Sequence, residues 1–181
     1  MRQKSAAGDV ESMVKRLVRD VPDYPKPGIL FKDITPLLAE PEAFSIVTQA
    51  MAAPFEADGI THVVAIESRG FILGGPIAQR LRAGLIPVRK PGKLPYDRVR
   101  QEYALEYGTD SLEIHSDAFD GTARILIVDD VLATGGTAAA TRALVGMLGA
   151  HVAGFSFLMA LSFLPGIERL RGANVHTLVT Y

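Results

Sequence analysis

Short apolar runs alternating with helical stretches past residue 60 predict an α/β fold, a mostly parallel twisted sheet with helices on both faces. Three observations carry this. The runs Thr61–Ile66, Ile86–Lys90, Ile125–Val128, Val152–Leu161 and Val175–Thr180 read as strands, and Ile125–Val128 is an apolar, β-branched run short enough to be a buried one. The stretches Phe71–Ala83 and Thr137–Leu148 are long enough to be the crossover helices that parallel neighbours require. One run, Ile125–Val128, ends in two carboxylates, Asp129 and Asp130, and then a small-residue turn. Chemistry therefore sits at the carboxyl edge of the strands, where sheets of this kind bind ligands.

The elements follow in order. Asp9 can cap a helix whose apolar positions Val10, Met13, Val14, Leu17 and Val18 share one face. VPDYPKPG, Val21 to Gly28, has three prolines and a glycine and must be non-helical. Phe44 to about Ala57 reads as a second amphipathic helix, after which the alternation begins. Pro91 to Gly108 breaks it, being charged, aromatic and interrupted early by Pro91, Gly92 and Pro95. Such an insert is an ordinary two-stranded excursion, a lid over a site, or both, since a hairpin can be a lid.

With 181 residues, 48% of them apolar and 22% charged, the chain can bury the core of a single domain over 1–181. A net charge of −1 without a long basic run points away from nucleic acid and membrane partners. The absence of cysteine excludes disulfides and thiolate metal sites. His62, His115, His151 and His176 are scattered singly, as surface or strand-end residues are, and no zinc spacing joins them. The N-terminus carries no apolar stretch of signal-peptide length and no run nears about 18 apolar residues, so a cytoplasmic location is expected.

The segment RILIVDDVLATGGTAAA, Arg124 to Ala140, has the parts of a phosphate cradle. Glycines let the backbone approach an anion, and the first N–H groups of the following helix lack helical partners. Asp129 and Asp130 would repel a phosphate beside them, so their partners are hydroxyl groups or a metal, which suits a phosphorylated sugar bound with Mg²⁺. The turn has no Gly-Lys-Ser/Thr ending and no G-x-G-x-x-G, which sets aside nucleoside triphosphatases and dinucleotide binders. One unit earlier, Val63–Ile66 leads into Glu67-Ser68-Arg69-Gly70 and a helix, repeating the strand–turn–helix logic. An Arg in such a turn is either a solvated surface group or a fork of donors for a pyrophosphate, and beside the second turn the latter reading is preferred. Arg89, Lys90 and Lys93 add positive charge at that edge.

The segment VDDVLATGGT resembles the signature of the type I phosphoribosyltransferases, which bind 5-phosphoribosyl-1-pyrophosphate. That resemblance implies that Asp129 and Asp130 hold the ribose hydroxyls, while Ala133, Thr134, Gly135, Gly136 and Thr137 wrap the 5-phosphate. It further implies that the ESRG turn, Glu67, Ser68 and Arg69, binds pyrophosphate with help from Arg89, Lys90 and Lys93, and holds a cis peptide at Glu67–Ser68. Mg²⁺ would be held mainly by substrate, with no direct protein ligand. DYPKPGILFKDITPLL, ESRGF, RKPGKLP, LEYG and VDDVLATGGT occur in the order and spacing of the adenine-specific branch, across nearly all of the chain past about residue 20.

In that branch residues of about 20–38 form a hood over the base and about 91–108 a flexible lid. Phe31 would stack on adenine, with Leu30 and Lys32 giving backbone contacts; read without the resemblance, Phe31 is a core anchor. The implied reaction joins adenine to the phosphoribosyl group, giving AMP and pyrophosphate. Glu106 is the implied proton acceptor, Glu102 its rival, and Tyr107 would cover the site. Members are typically homodimers, with a basic residue such as Arg89 reaching toward the neighbouring site. The alternatives are transfer to another purine, or a regulator that senses the sugar pyrophosphate without catalysis. The ESRGF turn and the hood count against the first, and residues 1–20 are too short and too evenly charged for the DNA-binding domain of the second.

Overall fold

The structure, a computed structural model, describes residues 2–104 and 108–181, with side chains described over 8–103 and 108–181. Glu106 and Tyr107, the expected proton acceptor and cover, lie outside the described residues. The chain divides into two compact units, Met1–Ala50 and Met51–Tyr181.

In the smaller unit, helix α1 spans Arg2–Leu17. Asp9 therefore stands in its middle rather than at its start, because the residues before it, apart from Gly8, suit a helix as well as those after it. Strands β1 (Arg19–Pro22) and β2 (Leu30–Asp33) pair antiparallel, placing Val21 opposite Phe31 and Asp20 opposite Lys32. The proline-rich connection between them is non-helical, as expected, with Asp23 and Gly28 at positive φ and the Tyr24–Pro25 bond cis. Asp23 Oδ1 closes it by accepting the Gly28 N–H at 2.8 Å. A one-turn helix α2 (Thr35–Leu38) starts where Asp33 Oδ1 accepts the Thr35 N–H at 2.9 Å. Helix α3 covers Pro41–Ala52, earlier at both ends than expected. Proline suits its first position, whereas Pro54 withholds an N–H and leaves Ala53–Phe55 as a 3-10 turn.

The larger unit opens with β3 (His62–Ile66), helix α4 (Arg69–Leu81) and β4 (Gly84–Val88). Next comes an antiparallel hairpin of β5 (Arg98–Ala104) and β6 (Thr109–His115), paired from Ala104 opposite Thr109 to Arg98 opposite His115. The insert thus reaches seven residues past Gly108, because its second strand is an apolar run that buries Leu112 and Ile114. Buried Glu113 pins the loop leading into it, accepting the Gly92 N–H at 3.0 Å and ion-pairing with Arg98 Nε at 3.0 Å.

Strand β7 (Arg124–Leu132), helix α5 (Gly136–Met147), β8 (His151–Ala160), the short α6 (Gly166–Arg169) and β9 (Val175–Thr180) complete the chain. The main sheet has the order β4-β3-β7-β8-β9 with every pair parallel. Its helices lie on both faces. Gly74 of α4 sits so close over Ala65 that a Cβ there would come within 2.7 Å of the Ala65 Cβ. Val64 and Ile66, which point the other way, share a core cluster with Ala138, Leu144 and Val145 of α5. One strand end differs from expectation. Asp129 and Asp130 lie inside β7 rather than beyond it, because Val131 and Leu132 go on pairing with Met159 and Ala160.

Candidate active site

Two strand–turn–helix units bring their turns to one cavity of about 310 Å³ in the larger unit, a volume suited to a small-molecule site. Its walls include Ser68 and Arg69 from the β3–α4 turn, Asp129 and Asp130 from β7, and Thr134 and Gly135 from the β7–α5 turn. Glu67, Lys90, Ala133 and Thr137 also line it.

After β7 the chain must turn sharply into α5, and Gly135 does so at φ +76. A side chain there would force a shift, since a Cβ would stand 2.9 Å from the Gly166 carbonyl oxygen of α6. The Ala139 N–H bonds back to Gly135 O at 2.9 Å, so helical pairing begins there. The N–H groups before it have no partner within the helix and point along the positive end of its dipole, which is the donor set an anion needs. Gly136 is buried behind this turn and is not among the described lining residues.

The acid pair behaves as two different carboxylates. Asp130 is buried, and its Oδ2 accepts the Arg69 Nε–H in a close ion pair. Asp129 Oδ1 accepts the Asp130 N–H at 2.9 Å. Burial first, and then the neighbouring Asp130 charge, push the Asp129 carboxyl well above the usual carboxylate range. Gly70 lets α4 come this near, for a Cβ there would lie 3.1 Å from Asp129 Oδ1 and 2.9 Å from Val128 O.

The β3–α4 turn has a cis Glu67–Ser68 bond, and α4 begins directly after it. The Glu67 carboxylate is a hub for the basic segment that follows β4. It accepts the Lys90 N–H at 2.8 Å, pairs closely with Lys93 and stands 3.5 Å from Arg89 Nε. Burial alone would raise Glu67, yet the Lys93 and Lys90 hydrogen bonds and the Lys93 and Arg89 charges outweigh it and hold the carboxyl below its ordinary value. Arg89 also lies over the Phe71 ring at 5.9 Å. Arg89 and Lys93 are not among the described lining residues, so of the basic residues expected here Arg69 and Lys90 face the cavity.

Phe31, Leu30 and Lys32 fall on β2 of the smaller unit. The Phe31 ring meets Tyr24 edge-on at 5.1 Å, Leu30 is half exposed, and Lys32 Nζ pairs with Asp20 at 2.6 Å.

The cavity also contains residues the motifs did not mark, including Tyr103, Leu112 and Phe157. Behind Lys90, and equally unmarked, is Asp110 on β6. Hairpin register was the signal available for two of these, since Tyr103 and Asp110 stand directly opposite across β5 and β6.

Among the described residues no group of three or more His, Asp or Glu side chains is placed to hold a metal. The acids at the cavity are a pair, and Mg²⁺ is commonly bound by one or two carboxylates together with substrate oxygens. Among the described residues no helix is long and apolar enough to cross a membrane.

The phosphoribosyl transferase domain family matches residues 33–160. The chain is 57% identical over 164 residues, 91% of its own length and 89% of the relative's, to an adenine phosphoribosyltransferase of Myxococcus xanthus. Among solved structures, adenine phosphoribosyltransferase from Rhodothermus marinus aligns with a TM-score of 0.92 at 50% identity, covering 96% of this chain and 99% of that one. The enzyme from Saccharomyces cerevisiae, in complex with an imino-altritol bisphosphate and adenine, aligns at 0.89 with 38% identity over 94% of this chain and 99% of that one.

Proposed function

The chain belongs to the phosphoribosyltransferase family, and from that premise we infer that it transfers the 5-phosphoribosyl group of phosphoribosyl pyrophosphate to adenine, releasing pyrophosphate and forming AMP in purine salvage. The observation that carries this is the meeting, in one cavity, of an acid pair, a backbone cradle turned by Gly135, and the Arg69 and Lys90 cations. A bisubstituted sugar with an anion at each end needs those three features together.

In the reaction adenine N9 attacks the anomeric carbon as its bond to the pyrophosphate oxygen breaks, and the pyrophosphate leaves with the electron pair. Positive charge grows on the sugar and negative charge on the leaving group, so the site must favour both. Asp129 and Asp130 take the ribose hydroxyls and lie on the electronegative side. Ala133 to Thr137 hold the 5-phosphate through backbone N–H groups. Arg69 and Lys90, with Glu67 and Ser68 framing the turn, receive the pyrophosphate, and Arg89 and Lys93 keep that edge positive while tied to Glu67. When bound, Mg²⁺ neutralises charge on the leaving group; it would be held mainly by substrate, with the acid pair beside it.

Phe31 stacks on the adenine, Leu30 and Lys32 meet its edge through the backbone, Glu106 takes the proton that the purine loses, and Tyr107 covers the site. Residues 1–181 act as one catalytic domain in which about 20–38 form the hood and about 91–108 the lid. The working form is a cytoplasmic homodimer, to be checked by sedimentation and cell fractionation. Product formation from a panel of purines at saturating phosphoribosyl pyrophosphate tests the whole assignment. AMP is expected from adenine and essentially nothing from hypoxanthine, guanine or xanthine. Turnover of another base would move the specificity, and no turnover with ordinary sugar binding would make the protein a sensor.

A further inference from the structure

Lys90 is the one lysine among the described lining residues, and it does not reach the cavity unsupported. Its ammonium group forms a close ion pair with Asp110 Oδ2 on β6. Asp110 is itself held from two sides, by the Ser111 N–H at 2.8 Å on Oδ1 and by the Tyr103 hydroxyl at 3.3 Å on Oδ2. Tyr103, half-buried on β5, lines the same cavity as Thr137 at the start of α5. Burial raises the Tyr103 phenol above its ordinary value, so it stays a protonated donor at neutral pH. Lys90, Asp110 and Tyr103 thus form a chain that crosses the hairpin from the segment after β4 to β5.

We propose that Asp110 and Tyr103 are positioning residues for the reaction, holding the Lys90 ammonium at the pyrophosphate end of the cavity. The proposal rests on Lys90 being a pyrophosphate ligand. A lysine carries a point charge on a flexible four-carbon stem and loses much rotamer freedom when it engages an anion. Asp110 takes one of its three N–H donors and fixes where the stem ends, which leaves two donors for phosphate oxygens. The loss of entropy is then met on folding rather than on binding. Tyr103 fixes Asp110 in turn. Because β5 packs on α5, the grip on the leaving group then depends on the hairpin lying against that helix.

The test is steady-state kinetics in the pyrophosphorolysis direction, with AMP and pyrophosphate varied separately, on D110N, Y103F, K90M and the double variant D110N/K90M, each first checked by thermal melting. D110N is expected to raise the KM for pyrophosphate about tenfold, the worth of one charge-assisted hydrogen bond, with the KM for AMP within about twofold of wild type. Y103F should move the same parameter about threefold, less than D110N because the bond is long and acts on Lys90 only through Asp110, without changing any charge. Added to K90M, the D110N change should cost less than about twofold, because its effect runs through the missing ammonium. D110E should recover part of the loss.

A pyrophosphate KM that is unchanged or lower in D110N would overturn the proposal, the latter by making Asp110 a competitor for Lys90. Equal rises in both KM values, or full additivity with K90M, would overturn it by showing a general effect on the fold. If D110N melts below the assay temperature, Y103F alone decides by the same criterion. No change in K90M itself would remove Lys90 from the pyrophosphate site and this inference with it, whereas a weakened K90M with additive D110N removes only the inference.

Discussion

The turn after β7 and the turn after β3 stand at the same edge of one parallel sheet, yet the donors they present are of different kinds. Ala133 to Thr137 contains no charged side chain, and its donors are backbone N–H groups that the chain cannot avoid presenting once Gly135 has turned it into α5. Glu67 to Gly70 and the segment after β4 rely instead on side chains, and the close ion pairs there join each cation to an acid. Arg69 is paired with Asp130, Lys90 with Asp110, and Lys93 with Glu67. A backbone cradle is complete when the local fold is complete. A side-chain cradle is complete only when partners distant in sequence, 61 residues away for Arg69 and Asp130, have arrived. The first needs space and φ freedom, the second needs counter-charges to hold cations in place without substrate.

The largest expected effect comes from removing the charged half. Arg69→Ala should lower kcat/KM for phosphoribosyl pyrophosphate by about 10²–10³, as loss of one oriented donor at a developing charge does elsewhere. Thr134→Ala, in the backbone half, should cost at most about tenfold, because the N–H donors of that turn are left in place. Equal losses in the two variants, measured side by side, would break the contrast.

Glu106→Gln lies outside both turns and sharpens the division of labour. If neither turn moves a proton, this variant should bind both substrates normally yet turn over at least about a hundredfold more slowly. A loss of only a fewfold in single-turnover rate would hand the proton to water, backbone or phosphate.

Phe31→Ala should raise the KM for adenine by about 1–3 kcal/mol of lost stacking, roughly ten- to a hundredfold, and leave sugar binding unchanged. Equal damage to both affinities would mean that Phe31 is a structural anchor.

Gly135→Ala probes the backbone half through stability. A positive φ and a Cβ 2.9 Å from Gly166 O together should cost about 1–3 kcal/mol in denaturant unfolding, with weaker sugar binding. A variant as stable as wild type would show that the turn can be re-formed without glycine.

The smallest effect is expected at Asp129. Its folded carboxyl titrates above its unfolded value near 3.9, so the native state holds the proton more tightly and the cost of the charge is absent below that pH. The cost then grows as pH rises through the raised folded value. Asp129→Asn should therefore melt a few degrees above wild type at pH 8, the shift that about 1 kcal/mol gives in a chain of this size, and no higher near pH 3. A stabilisation independent of pH would assign the effect to something other than charge. Sugar binding should weaken in the same variant.

The amino-acid order by itself determined the α/β class, the strands near Val63, Ile125, Val152 and Val175, and the glycine turn after β7. Each of these depends on neighbours within a few residues, on β-branched runs, alternation and glycine at a turn. It also placed both turns at one sheet edge, since a right-handed parallel crossover leaves little choice. Element ends were less legible. Asp129 and Asp130 read as a break after a short apolar run, but pairing with β8 carries β7 through to Leu132 and offsets the cost of their charges inside a strand. Asp9 reads as a cap, although nothing before it ends a helix.

The tertiary structure alone decided which cations face the cavity and what holds them. Arg89, Lys90 and Lys93 look equivalent in sequence, but Glu67 draws the first and last to itself while Asp110 takes Lys90. Asp110 belongs to no motif, because its ion pair depends on a hairpin register that sets it opposite Tyr103 and on the bridge that joins Arg89, just past β4, to Glu113 of β6. Local periodicity encodes which face a residue takes. The partner a charge will find across 20 to 60 residues is set only when the chain has folded and Coulomb's law acts over a few ångströms.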